Sequence, residues 1–546
     1  SGQPTNETRP AITGSGEVGS TIKIYDGSNP TPLGSATVGS GGTWSFTPPT
    51  ALSSGSHNLT VTATDAAGNV SAPSAIFNVV VDLAAPGTPA ITNIADDVGT
   101  EKGDLTNGQS TDDTLPLISG TAENGASVKI YDNGTLIGTV NASATDGTWN
   151  FTPPVGSPLT NGNHAFTVTA TDSAGNVSSP SNTFNIVVDT AAPTAPIVIQ
   201  AFDDVGPVTG ALVNGQSTND NQPLLSGTAE ANSIVSISDN GVFLDTVTAS
   251  ATGTWSYTPP ARNDGQHVFT ATSTDAAGNV GAVSGSFTLT IDTSTPVTPA
   301  LSTVYDDVAG GVFNANLTNG QVTNDARPAI SGTGEVGTTI TILDGSTPIG
   351  TLTVPAGGNW TFTPTTPLTA GLHTFTITAT DAAGNVSTAS AGFAITVDTT
   401  APTTPVITSI VDDVAGGVFN NPLANNQATN DSRPTLNGTA EAGATVAIYD
   451  KGVFVTNVTA SGTGAWAYTP TQPLSEGSHS FTVTATDLAG NTSALSQSSS
   501  IVVDTTAPGA PTGLAVNATG TTVTGTAEAG STVTITTSGG TVLGTA

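Results

Sequence analysis

Short runs in which Val, Ile, Thr and Phe alternate with polar residues recur along the chain, as in His373-Thr-Phe-Thr-Ile-Thr-Ala-Thr380, bounded by Gly, Pro, Asn or Asp. A period of two puts alternate side chains on opposite faces of an extended strand, leaving one face for a core. No helical periodicity competes with it, so the pattern predicts an all-β protein. Within one stretch, seven such runs can be marked, at 405–412, 433–441, 445–449, 453–460, 465–470, 479–486 and 500–504. Seven short strands in about 100 residues is the size of an immunoglobulin-like sandwich.

The pattern is written more than once. Asp-x-Ala-Gly-Asn recurs at Asp65, Asp172, Asp275, Asp381 and Asp487, and a lone tryptophan at Trp44, Trp149, Trp255, Trp360 and Trp466 keeps step with it. A spacing of roughly 105 residues is one small domain rather than a solenoid turn. After Asp82, Asp189, Asp292, Asp398 and Asp504 come small residues and proline, which reads as a linker. The expectation is a tandem array of seven-stranded immunoglobulin-like β-sandwich domains, divided at 1–82, 83–189, 190–292, 293–398, 399–504 and 505–546. The first would lack its start and the last its end, so the chain reads as a piece of a longer polypeptide.

Charge changes the picture next. With 41 Asp and Glu against 8 Lys and Arg, a net charge of −33 and a pI near 4.1, nucleic acid and anionic membrane are excluded as partners. Cysteine is absent, so no disulfide staples these small cores. Lys23, Lys102, Lys129 and Lys451 do not recur once per repeat, which argues against Lys-Asn cross-links. A metal is the remaining crosslink, and most acidic residues fall at repeat-equivalent positions.

If seven strands alternate in direction, the Glu of Gly-Thr-Ala-Glu and the Asp of Asp-x-Ala-Gly-Asn share the leading end of a domain, where the preceding linker Asp arrives. The expected groups are Asp82, Glu123 and Asp172; Asp189, Glu230 and Asp275; Asp292, Glu335 and Asp381; Asp398, Glu441 and Asp487; and Asp504 with Glu528. Such carboxylates repel one another unless a cation neutralises them. Oxygen ligands on flexible loops, without His or Cys, select Ca²⁺. A second constellation lies at the trailing end, in the long first connection: Asp96-Asp97 with Asp112-Asp113, Asp203-Asp204 with Asp220, Asp306-Asp307 with Asp325, and Asp412-Asp413 with Asp431. A cation clasping both ends of that connection would explain its order.

Plainer roles stand beside these. The loop Asp forms an Asx-type turn, alone or as a turn and ligand together. Asp132 and Asp450 sit before hairpin turns and need no other role. His57, His164, His267, His373 and His479 recur in step with the fold and read as structural, and each Trp as core. No nucleophile with its base and no phosphate-binding loop stands out, which argues against an enzyme.

Taken together, Gly-Thr-Ala-Glu, Val-x-Ile-Tyr-Asp, Trp-x-Phe-Thr-Pro, Thr-Ala-Thr-Asp-x-Ala-Gly-Asn-Val-Ser and Val-Asp-Thr-Thr-Ala-Pro resemble the bacterial immunoglobulin-like repeats of giant surface adhesins and biofilm-associated proteins. The resemblance implies a Gram-negative protein exported by a type I system, secreted or at the cell surface, with Ca²⁺ near domain junctions stiffening a stalk for adhesion and biofilm formation. Its partners would be neighbouring repeats and, through regions outside this window, a host, abiotic or matrix surface. Two rivals remain: a glycan-binding module working through exposed Trp, and a fibre formed by self-association of the repeats.

Overall fold

Every regular element among the described residues, 2–311, 313–416 and 421–546, is a β-strand in this computed structural model. The chain divides into two units, Ser1–Thr293 and Ser294–Ala546. Among the described residues no helix is long and apolar enough to cross a membrane.

The second repeat, in the first unit, shows the plan. Its strands are β1 (Ala90–Asp96), β2 (Gly103–Asp104), β3 (Ser110–Thr111), β4 (Leu117–Thr121), β5 (Ser127–Asp132), β6 (Thr135–Asn141), β7 (Thr148–Phe151), β8 (Gly162–Thr171) and β9 (Phe184–Val188). One sheet has the order β3-β9-β8-β5-β6 and the other β7-β4-β1-β2. Pairing is antiparallel except between β3 and β9, where Thr111 lies opposite Val188. The sheets close on Ile94, Ile118, Val128, Ile130, Trp149, Phe166, Val168, Ile186 and Val188, the inward positions of the period-two pattern. The Gly of Gly-Thr-Ala-Glu is demanded by this packing: a Cβ on Gly120 would lie 2.4 Å from the Trp149 indole and 2.0 Å from the Ala90 carbonyl.

Seven strands were expected and nine are present. The extra two, β2 and β3, lie in the long first connection, so backbone pairing orders that segment. The third repeat has the same two sheets, and the first has its five-stranded sheet beside a two-stranded one. In the second unit, residues 300–397 repeat the nine-strand plan, and residues 406–503 have eight strands among the described residues, with a three-stranded second sheet. The segment 512–545 forms two separate hairpins, Thr512–Val516 with Val523–Thr526 and Thr534–Thr536 with Val542–Thr545.

Candidate functional site

At the trailing end of each complete repeat a threonine joins two carboxylates. Asp96, the last residue of β1, accepts the Val98 N–H on Oδ1 at 2.9 Å and the Thr111 hydroxyl on Oδ2 at 2.5 Å. Thr111 Oγ1 in turn accepts the Asp113 N–H at 3.0 Å, and Asp113 Oδ1 accepts the Leu115 N–H at 2.7 Å. The same chain of bonds links Asp203, Thr218 and Asp220, then Asp306, Thr323 and Asp325, then Asp412, Thr429 and Asp431.

These carboxylates are deeply placed: Asp113 and Asp325 are each 2 % exposed, and Asp306 is fully buried. The second oxygen of Asp113 and of Asp325 has no hydrogen-bond partner, nor has Asp112 Oδ1 or Asn324 Oδ1. Burial, followed by the neighbouring Asp96 and Asp97, Asp203 and Asp204, or Asp306 and Asp307, raises the carboxyl pKa of Asp113, Asp220 and Asp325 above the ordinary value. Asp97, Asp204, Asp307 and Asp413 are exposed, so only the first Asp of each pair sends its side chain into the buried network, while in the fifth repeat the Asp413 N–H donates to Asp431 Oδ2 at 3.3 Å. In the fifth repeat Asp412, Thr429, Asn430 and the linker residue Asp504 line a cleft of about 410 Å³.

The leading-end loop is the opposite case. Asp172 Oδ1 accepts the N–H groups of Ala174 and Asn176, and Oδ2 accepts the Asn176 side-chain amide at 2.8 Å. Burial acts to raise its pKa, but these bonds outweigh it and hold the carboxyl below the ordinary value. Asp275 and Asp381 are bonded in the same way, and Asp487 likewise with the Gly490 N–H in place of the alanine's. The linker aspartates form short Asx turns: Asp82, Asp189, Asp398 and Asp504 accept the N–H of Ala84, Ala191, Thr400 and Thr506. Glu123, Glu230, Glu335, Glu441 and Glu528 are exposed, and Glu335 and Glu528 accept the linker N–H groups of Val297 and Gly509.

Within each unit the expected junction groups are therefore spread over separate turns. Among the described residues no three His, Cys, Asp or Glu side chains converge on a metal-holding point. Asp292 belongs to the first unit and Glu335 and Asp381 to the second. The fit to a hard cation rests instead on the trailing-end network, where buried carboxylate and amide oxygens are left without donors.

Within each unit, successive repeats are also clipped by protein alone. The Asn of Asp-x-Ala-Gly-Asn donates its side-chain amide to the linker carbonyl before it: Asn176 to Asp82 and Asn279 to Asp189 at 2.8 Å, and Asn491 to Asp398 at 2.7 Å. The trailing-end loop of one repeat rests on the leading-end Asp-x-Ala-Gly-Asn loop of the next. Asp112 N–H donates to the Ala277 carbonyl at 3.1 Å and the Thr100 hydroxyl to the Gly278 carbonyl at 3.0 Å. In the second unit Gly311 lies so near the Ala489 carbonyl that a Cβ would come within 2.5 Å of it. The two constellations separated in the sequence thus adjoin at one junction, and the nearby Asp96 and Asp275 charges add to burial in raising the Asp112 pKa.

Sequence reasoning missed the joining threonines, the clipping asparagines and one pairing. Asp132, placed before the hairpin turn, also holds His164 Nδ1 at 2.6 Å, and all five repeats share this pair. The five tryptophans are between 2 % and 7 % exposed and belong to the cores.

The model of the family described as bacterial Ig-like domain matches residues 1–83, 88–190, 196–293, 311–399 and 407–505, and one described as bacterial Ig domain matches 507–546. Exoglucanase B of Cellulomonas fimi is 30 % identical over 312 residues, which cover 55 % of this chain and 25 % of that protein. The chain thus spans about a quarter of that curated relative. Similar solved structures include a tetra-tandem repeat in the extending region of a large adhesion protein, 21 % identical with TM-score 0.27, covering 77 % of this chain and all of that one. A structure concerned with host cell surface retention of a 1.5-MDa bacterial ice-binding adhesin is 18 % identical with TM-score 0.24, covering 54 % and 95 %.

Proposed function

Because the chain belongs to the bacterial Ig-like domain family, we propose that it is the extender of a bacterial cell-surface adhesin, a stalk whose repeats are stiffened by Ca²⁺ and which serves adhesion and biofilm formation. One observation carries the reading. The trailing ends of the second and fourth repeats keep a buried carboxylate oxygen short of donors, at Asp113 and Asp325. Asp96 with Asp113, Asp203 with Asp220, Asp306 with Asp325 and Asp412 with Asp431 are the residues to hold the ion, with backbone carbonyls and water completing its shell. The bound ion supplies positive charge where carboxylates repel across the junction. Extracellular Ca²⁺ modules bind at about 10⁻⁴ to 10⁻³ M, so the stalk would travel limp through a type I exporter and stiffen outside.

The glycan-binding rival needs exposed tryptophan, and Trp149 is 2 % exposed. The test is small-angle scattering on the whole chain, titrated with Ca²⁺ after chelation, with Asp113→Asn, Asp325→Asn and the linker variant Asp189→Ala in parallel. The expected result is a larger maximum dimension with Ca²⁺, weakened in Asp113→Asn and Asp325→Asn. Identical profiles with and without the ion would defeat the cation-stiffened stalk.

A further inference from the structure

In all five repeats a histidine lies between two acceptors. Nδ1 stands 2.6 Å from a carboxylate oxygen, in the pairs His57 with Asp26, His164 with Asp132, His267 with Asp239, His373 with Asp344 and His479 with Asp450. Nε2 stands 2.7–2.9 Å from the backbone carbonyl four residues earlier, that of Ser53, Thr160, Asn263, Thr369 or Ser475. A carbonyl only accepts, so Nε2 must carry a proton. An ionised carboxylate also only accepts, so Nδ1 must carry one too. A ring lacking either proton would press a lone pair against an oxygen in a site largely closed to water.

In the first four repeats no other hydrogen-bond partner of the ring is present among the described residues. The residue opposite on the neighbouring strand is apolar: Val79, Ile186, Leu289, Ile395 or Ile501. A phenylalanine ring two residues on is stacked beside the imidazole in the last four repeats, as Phe166 beside His164 at 6.1 Å. In the fifth repeat the Ser475 hydroxyl stands 3.5 Å from Nε2, farther than the carbonyl. Among the described residues the further charge in ion-pair contact with these sites is Arg262, whose Nη1 lies 3.6 Å from Asp239 Oδ2 in the third repeat.

The carbonyl held by Nε2 belongs to the loop that grips the root of the linker. Next to Thr160, Asn161 Oδ1 accepts the N–H and the hydroxyl of Thr190. Next to Asn263, Asp264 accepts the same two groups of Thr293, and next to Ser475, Glu476 accepts those of Thr505. In the first repeat the Ser54 hydroxyl donates to the Val81 carbonyl at 3.3 Å. The fourth repeat has Ala370 at this place.

We propose that each of these histidines is an imidazolium locked to its aspartate, and that its second proton fixes the loop gripping the linker root, so that alkaline pH loosens the linkers where the grip exists. The device is independent of the cation reading, since neither the histidines nor their aspartates belong to the acidic network. His57 supports it: burial opposes its charge, but the Ser53 carbonyl and the Asp26 carboxylate prevail and raise its pKa above the ordinary 6.5. A base so raised contributes its stability fully below the unfolded value, and the contribution is lost as pH rises through the folded one.

The test uses the whole chain with ¹⁵N-labelled histidine and ¹³C-labelled aspartate. At about pH 7.5, long-range ¹H–¹⁵N spectra should show both nitrogens protonated in every ring and the partner carboxylates ionised. A neutral tautomer, or a protonated aspartate beside it, overturns the proposal. Hydrogen exchange then reads the linker grip. Between about pH 7 and pH 9.5 the Thr190 and Thr505 amides should lose about tenfold protection beyond the base-catalysed trend, while Thr399, in the repeat with Ala370, shows no such loss. In Asp132→Asn the pH response of Thr190 should vanish and that of Thr505 persist. Should the variant fail to fold, the wild-type spectra and the Thr190 profile still decide, and pH-independent protection at Thr190 refutes the coupling.

Discussion

The two ends of one repeat use the same side chain in opposite ways. At the leading end Asp172 receives three N–H donors within its own turn and is held below its ordinary pKa. At the trailing end Asp113 receives one on Oδ1, keeps Oδ2 without a partner and is pushed above its ordinary pKa. The number of donors within reach therefore decides what an aspartate does: a saturated carboxylate is a turn, and a buried, starved one is a candidate ligand. Acidity alone does not distinguish them.

The largest effect that would sharpen this contrast is Asp172→Ala. It strands the Ala174 and Asn176 N–H donors and removes one of the two acceptors of the Asn176 side-chain amide, which keeps the Asp82 carbonyl. Bonds to a charged acceptor at a half-exposed turn are worth roughly 1–2 kcal/mol together. Calorimetry should show the second repeat unfolding several degrees early, with or without Ca²⁺. By contrast, Asp113→Asn in chelator should cost nothing or stabilise by about 1 kcal/mol, because it removes a charge buried among like charges. If both substitutions destabilise alike in chelator, the distinction between the two ends is wrong.

Acid should act oppositely on the two ends. Asp113, Asp220 and Asp325 bind a proton more tightly folded than unfolded, so cation-free repeats gain stability from them as pH falls from neutral through their raised values. Asp172 binds its proton less tightly folded; its contribution is full above the ordinary value of 3.8 and is lost as pH falls through the folded one. Melting curves from about pH 7 to pH 3 should therefore rise before they fall. The triple variant Asp113→Asn, Asp220→Asn, Asp325→Asn should lose the rise and keep the fall.

The sandwich was legible because its cause is local and periodic. Alternating residues such as Val128 and Ile130 can face only one way on a strand, and the recurring Trp149 needs a core to hide in. The acidic networks were legible only in part. That Asp96 meets Asp113 depends on Thr111, placed by the parallel pairing of β3 with β9 some 75 residues downstream, and no spacing announces that register. Asp132 was visible as the residue before a turn, where Asn133 and Gly134 take positive φ, but its second partner lies 32 residues away across the sheet. The Asn of Asp-x-Ala-Gly-Asn was legible as a turn residue and hidden as a clip, because its target is in the preceding linker.

That clip carries the smallest effect and separates stiffness from stability. Asn279 bonds both Asp275 within its loop and the Asp189 carbonyl across the linker. Removing the side chain by Asn279→Ala leaves the Asp275 bonds to the N–H groups of Ala277 and Asn279 in place, so the third repeat should lose only about 0.5–1 kcal/mol. The joint loses its side-chain tie to the Asp189 carbonyl and keeps that of the Ser273 hydroxyl to the Thr194 carbonyl, so hydrogen exchange and proteolysis should quicken at the start of the linker, residues 190–193, without change in the two cores. If Ca²⁺ holds the same joint through the trailing-end carboxylates, adding the ion restores protection there in Asn279→Ala but not when Asp113→Asn is added to it. Rescue in both backgrounds would place the ion elsewhere, and rescue in neither would leave the asparagine clip as the element that stiffens the joint.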